Sequence, residues 1–117
     1  MSRDRSVYIL CIHDCIRRIE AYTQGGRDEF FRDTKTQDAV IRNLEIIGQA
    51  VKDMGTDKLK TACADMPWEQ IAGMRNILPH QYLGIDLQLA WGVVENDLPR
   101  LRKSILEIAQ AMGIALL

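Results

Sequence analysis

Apolar residues recur along this chain at alternating steps of four and three, the spacing that lines one face of an α-helix. Tyr8, Ile12, Cys15, Ile19 and Tyr22 form the first stripe, and Gln24-Gly25-Gly26 stops it, glycine being the residue that closes a helix C-terminus in a left-handed conformation. A short segment with Phe30 and Phe31 follows. Thr34 and Gln37 then stand at capping-box spacing, and Val40, Leu44, Ile47, Val51 and Met54 make a second stripe closed by Gly55. Gly48 lies inside that stripe, at a cost of about 1 kcal/mol relative to alanine. The expectation is that another helix backbone comes close at that point.

From Asp57 to Met66 the chain is polar and weakly patterned, which predicts a loop with about one helical turn. Pro67 suits the first position of a third helix, with Glu69 in its first turn and Trp68, Ile71 and Met74 as its apolar residues. Pro79 disfavours helical geometry at Leu78 and ends that helix or kinks it. Gly84 and Asp86 open the last helix, whose stripe is Leu87, Trp91, Val94, Leu98, Leu101, Ile105, Ile108 and Met112. The register runs through Pro99, although an interior proline costs about 3 kcal/mol. The unbroken stripe predicts one long kinked helix; the alternative is a fresh helix capped by Asp97. With no strand-like alternation, repeat or low-complexity tract, the stripes must bury against one another. The fold class expected is an all-α antiparallel bundle of four to five helices, one domain over residues 1–117.

Composition narrows the function. A net charge of −1 and a pI near 6.1 argue against a broad electrostatic grip on duplex nucleic acid, while leaving room for a local basic site. No apolar run approaches the ~20 residues that span a bilayer, and the amino-terminal stretch is interrupted by His13, Asp14, Arg17 and Arg18. The protein is therefore expected to be cytoplasmic, with no membrane partner. Three cysteines cannot all pair within one chain, which suits reduced thiols. Cys11, His13 and Cys15 resemble a metal box in spacing. On a helix, however, Cys11 and His13 point roughly 200° apart, and a closed zinc site needs four ligands. Buried packing thiols are the expectation, and no metal or cofactor is implied.

The densest chemistry lies in Arg75-Asn76-Ile77-Leu78-Pro79-His80-Gln81-Tyr82. Arginine holds phosphate through a planar fork of donors, and histidine moves protons near neutral pH. Cleavage of RNA by its own 2′-hydroxyl needs a base for the hydroxyl proton, a cation for the phosphorane and an acid for the leaving oxygen. His80 can act as base or acid, and Arg75 can hold the non-bridging oxygens. Asn76 can add a hydrogen bond or cap the break in the helix. Tyr82 can donate to phosphate or stack on a base. One chain carries a single copy of each group, its only other histidine being His13. A two-fold dimer would bring two copies to one cleft, and a homodimer is expected.

The motif in its setting resembles the HEPN superfamily, and within it the HepT-like toxins of toxin–antitoxin pairs. The matching segments are Ala39–Lys52, Trp68–Asn76, Leu83–Asp86 and Val93–Pro99, around an Arg-x-x-x-x-His-x-Tyr core. The core alone is a weak signal; embedded in these segments it is strong, and the likeness covers most of the chain. Pro79 departs from the pattern, standing where relatives carry a small or β-branched residue. The resemblance implies an all-helical homodimer with a metal-independent endoribonuclease site. Arg75 and His80 match the catalytic pair, and Asn76 matches the polar position after the arginine. Tyr82 matches the tyrosine that an MNT-type nucleotidyltransferase antitoxin modifies with AMP from ATP. A bulky anion beside Arg75 would fill the phosphate site and repel RNA.

Two other readings remain open. The chain can be a non-catalytic subunit that binds or presents substrate to a separate nucleotidyltransferase, or a structural dimer whose motif only caps and packs. Arg42, Arg17 and Arg18 can extend a phosphate groove, with solvated surface arginine as the plainer reading. Glu45 can orient Arg75 or pair with another arginine. Trp68 and Trp91 are expected in the core or at an interface. Arg100, Arg102 and Lys103 form a small basic patch offset by Glu95, Asp97 and Glu107.

Overall fold

The computed structural model describes residues 4–77 and 87–116. Among them the regular structure is helical throughout. In chain order it comprises α1 (Arg5–Tyr22), α2 (Gly26–Arg32), α3 (Thr34–Met54), α4 (Thr56–Ala62), α5 (Trp68–Ile77), α6 (Leu87–Gly92), a π-helical turn (Val93–Asp97) and α7 (Leu98–Met112). The all-helical expectation holds, but the described residues contain more segments than four or five. The additional ones are the short α2, around Phe30 and Phe31, and α4, seven residues long where a loop with about one helical turn was expected. In α4, Leu59 is fully buried on a helix otherwise polar. A single apolar anchor gives no periodicity to read.

The start of α3 also differs from the capping-box expectation. The cap is Asp33, whose carboxylate accepts from the Lys35 amide at 3.1 Å and the Thr36 hydroxyl at 2.8 Å. These bonds, the Thr36 hydroxyl first, hold the Asp33 carboxyl below its ordinary pKa. The Gln37 side chain reaches instead to the Phe30 carbonyl at 2.9 Å and ties α2 to α3.

The principal helices run antiparallel to their neighbours. Thr56, just past α3, donates to Glu69 at the start of α5 at 2.6 Å. Arg102, early in α7, lies 3.9 Å from Glu20, late in α1. Between these helices are the fully buried Ile9, Ile12, Ile16, Ile19, Leu44, Ile47, Val51 and Ile105. Trp68 is buried with its indole N–H donating to the Cys63 carbonyl at 2.7 Å, which settles the polar end of an otherwise apolar side chain. Trp91 packs on Phe30 with ring centroids 5.2 Å apart. Trp68 is thus a core anchor, and Trp91 is partly buried and packs against the core.

Gly48 is where α3 meets α5. A Cβ there would lie 2.9 Å from the Arg75 nitrogen and 2.9 Å from the Ile71 carbonyl oxygen. The expected close approach of a helix backbone is therefore present. The last helix continues from Leu87 to Met112 without interruption. Its accommodation of Pro99 is the π-helical turn, in which the Leu98 amide donates to the Val93 carbonyl. The wider turn relieves the clash that a proline ring makes with the preceding helical turn. Pro99 itself faces solvent, so the carbonyl it leaves without an amide can be hydrated. Gly113, at φ 70°, ends α7.

Candidate active-site groove

Arg75 sits in the last turn of α5. It lines a groove of about 340 Å³ with Tyr8 and Cys11 from α1 and Arg42, Glu45, Gln49 and Asp53 from α3. The sequence supplies this placement through Gly48. With no side chain at that position, the α5 backbone lies on α3, one helical turn from Glu45 and beside Gln49. Arg75 is half-buried and donates to the Ala72 carbonyl on its own helix. Among the described residues it has no carboxylate partner.

Each acidic group of the groove is engaged. Glu45 pairs with Arg42 at 3.5 Å, and Asp53 accepts from the Gln49 amide at 2.9 Å. Of the two roles open to Glu45, pairing with another arginine is the one seen. Arg42 is largely exposed, at 71% of its side-chain surface, and Glu45 is sheltered, at 21%. An exposed pair of this kind contributes roughly 0–1 kcal/mol, so Arg42 can exchange its partner for a phosphate at little cost.

The other arginines singled out in the sequence stand elsewhere. Arg18 pairs with Asp14 at 3.1 Å on the exposed side of α1. Arg17 lines a separate hollow with Val7, Leu10 and the carboxy-terminal Leu116. In the basic patch of α7, Arg100 donates to the Asp65 carbonyl at 3.2 Å. Asn76 is exposed at the end of α5. His80 and Tyr82, with Pro79 and the Leu83–Asp86 segment, lie outside the described residues.

Two buried titratable groups on α1, His13 and Cys15, are not among the groove's lining residues. Burial lowers the pKa of His13, with Arg17 and Arg102 adding to the effect against Asp14 and Glu20. Burial pushes the Cys15 thiol up to about 12, and the Cys11 thiol beside it adds to the shift. All three cysteines are free thiols, and Cys63 donates to the Ser104 hydroxyl at 3.3 Å. Among the described residues no cluster of three metal-ligating side chains occurs, and no helix is long and apolar enough to cross a membrane.

Sequence reasoning linked Arg75 to Arg42 but missed Tyr8, Gln49 and Asp53 as groove residues. Tyr8 was hidden by lying on an apolar stripe. Asn43, in the helix segment that carries the resemblance, turned inward: its amide donates to the Ala39 carbonyl at 2.8 Å. Its buried Oδ1 has no partner among the described residues.

Comparison with known proteins places this geometry in context. A family model described as ribonuclease HepT-like matches residues 12–108. A probable ribonuclease HepT from Thermococcus cleftensis is 40% identical over 103 residues, covering 87% of this chain and 93% of the relative. A putative RNase of Methanocaldococcus jannaschii is 40% identical over 104 residues, covering 88% and 94%. A second protein of that organism, named a gamma-glutamylcyclotransferase and putative RNase, is 40% identical over 113 residues. The match spans 96% of this chain but only 50% of that relative. No solved structure matches.

Proposed function

The chain belongs to the HepT-like ribonuclease family, and on that premise we propose that it is a metal-independent endoribonuclease toxin of a type VII-like HEPN–MNT pair. The active unit is a homodimer. Arg75 and His80 are its catalytic residues, with Asn76 in support. An MNT-type nucleotidyltransferase antitoxin silences it by transferring AMP onto Tyr82.

The observation that carries this reading is the position of Arg75. It opens onto a groove with a second arginine, free of any carboxylate partner among the described residues. A guanidinium so placed can donate two parallel hydrogen bonds to the non-bridging oxygens of a phosphodiester. The relatives' names, ribonuclease and RNase, fit that role.

In the proposed reaction the RNA provides its own nucleophile. An imidazole takes the proton of the 2′-hydroxyl as its oxygen attacks the adjacent phosphorus. The P–O5′ bond breaks, and a protonated imidazole returns a proton to the departing 5′-oxygen. The products are a 2′,3′-cyclic phosphate and a 5′-hydroxyl. Arg75 stabilises the charge that builds on phosphorus-bound oxygen. No water need be activated, so the scheme calls for no metal. Two copies of His80, one from each protomer, supply the base and the acid.

The experiment pairs expression with mass measurement. Growth inhibition by the wild-type chain and its loss in His80→Ala are expected, with helical circular dichroism unchanged. A variant that stays toxic contradicts the catalytic role and favours the non-catalytic subunit. Intact mass after incubation with ATP, Mg²⁺ and the cognate nucleotidyltransferase is expected to rise in AMP units and not to rise in Tyr82→Phe. An unchanged wild-type mass removes the silencing step and leaves the nuclease standing.

A further inference from the structure

Tyr8 shares the groove with Arg75, and the reaction scheme gives it no task. It belongs to the same stripe as Ile12, Cys15 and Ile19, which are buried, yet Tyr8 is only half-buried and lines the groove. An aromatic face beside a phosphate-holding guanidinium is the pairing with which proteins hold single-stranded nucleic acid, the ring taking a base and the cation its backbone.

Size and charge narrow the ligand. The groove, at about 340 Å³, lies at the low end of the roughly 300–1,000 Å³ typical of small-ligand sites, room for about one nucleotide. The chain's net charge of −1 gives no broad basic surface for a double helix. Glu45 is paired with Arg42, and Asp53 accepts a hydrogen bond from the neutral Gln49 amide; Arg42 and Arg75 together balance the two carboxylates of the groove.

Resting on the ribonuclease reading, we propose that this groove binds one unpaired nucleotide of a single-stranded RNA, its base stacked on Tyr8 and its phosphate held by Arg75. Arg42, at the rim, holds the neighbouring phosphate. Tyr8 is then a substrate-binding residue that selects single strands over duplexes.

The test measures binding apart from cleavage. A fluorescent single-stranded oligoribonucleotide with every 2′-hydroxyl methylated cannot be cut by 2′-attack and reports Kd alone. Tyr8→Leu is expected to weaken its binding roughly 5- to 150-fold, Tyr8→Trp to restore it, and a blunt duplex of the same sequence to bind poorly to the wild type. On cleavable RNA the Tyr8→Leu effect should fall on KM more than on kcat. Equal Kd for wild type and Tyr8→Leu, or failure of Tyr8→Trp to restore binding, would overturn the proposal. Should Tyr8→Leu lose its helical fold, ultraviolet cross-linking of a 5-iodouridine oligonucleotide to the wild-type chain decides the matter. The adduct is expected on the peptide containing Tyr8, and an adduct confined to other peptides overturns it. A wild-type chain that binds the methylated strand through Tyr8 but cuts no RNA refutes the nuclease and leaves the groove assignment intact.

Discussion

Gly48 and Arg75 meet backbone to side-chain position: a methyl group on Gly48 would lie 2.9 Å from the Arg75 nitrogen. Neither that nitrogen nor the Ile71 carbonyl at 2.9 Å can swing aside as a side chain could. Gly48→Ala would gain about 1 kcal/mol of helix propensity against an overpacking cost of about 1–3 kcal/mol. The expected outcome is net destabilisation, read as a lower urea midpoint. Cleavage should fall further than stability alone explains, because the adjustment displaces the turn that carries Arg75.

Arg75→Lys keeps the charge and removes the fork. A lysine ammonium is a point charge and cannot make the paired hydrogen bonds of a guanidinium. RNA cleavage is expected to drop about 100-fold, the scale of losing one donor to a developing oxyanion. The urea midpoint should change little, since the described contacts of the Arg75 side chain amount to one bond to its own helix. Steady-state cleavage and denaturation of the same preparation check both halves.

Stability should fall on mild acidification because of His13. Its pKa in the folded chain is lowered, burial being the first cause. Between that value and about 6.5, the ordinary histidine value, the unfolded chain binds more protons than the folded one. Folding free energy is therefore fully retained above the unfolded pKa and lost progressively as pH drops below it. Urea midpoints at pH 7.5 and 5.5 should differ in wild type, and the difference should shrink in His13→Gln. An equal difference in both would assign the effect to other groups.

Thiol reactivity should separate the two cysteines of α1. Cys11 borders the groove and is partly exposed, whereas Cys15 is buried with its pKa pushed up to about 12. Iodoacetamide at pH 8 is expected to label Cys11 well before Cys15, with peptide mapping as the readout. Cys15 should react only as fast as the chain opens. The same shift predicts loss of stability as pH rises above about 8.5, where the unfolded thiol ionises and the folded one does not.

Much of this architecture can be read from residues alone, and the exceptions have physical reasons. The stripes through Ile12, Cys15 and Ile19, and through Val40, Leu44 and Ile47, are buried as their period requires. Gly48 signalled the contact with α5 because its propensity cost needed a justification. Pro99 signalled a kink, but the π turn that absorbs it depends on neighbours that no local rule weighs. Thr34 was expected to cap α3, yet Asp33 caps it and Thr34 is the first helical residue, the two being adjacent residues that both cap helices. At the site, Arg75 was legible because a motif surrounds it. Tyr8 was not, since periodicity assigns a residue to a face without telling whether a partner covers that end of the helix. Tyr22 and Met112, stripe residues left 42% and 39% exposed, failed to be core for the same reason.

The central claim is that Arg75 and His80 cleave RNA without a metal, and its most direct test is a single assay. Wild type and His80→Ala are incubated with a single-stranded RNA in excess EDTA, and the product ends are determined by mass spectrometry. Fragments ending in 2′,3′-cyclic phosphate from the wild type, and none from the variant at equal helicity, are the predicted result. Equal cleavage by the two proteins, or intact RNA with a folded wild-type dimer, would contradict it.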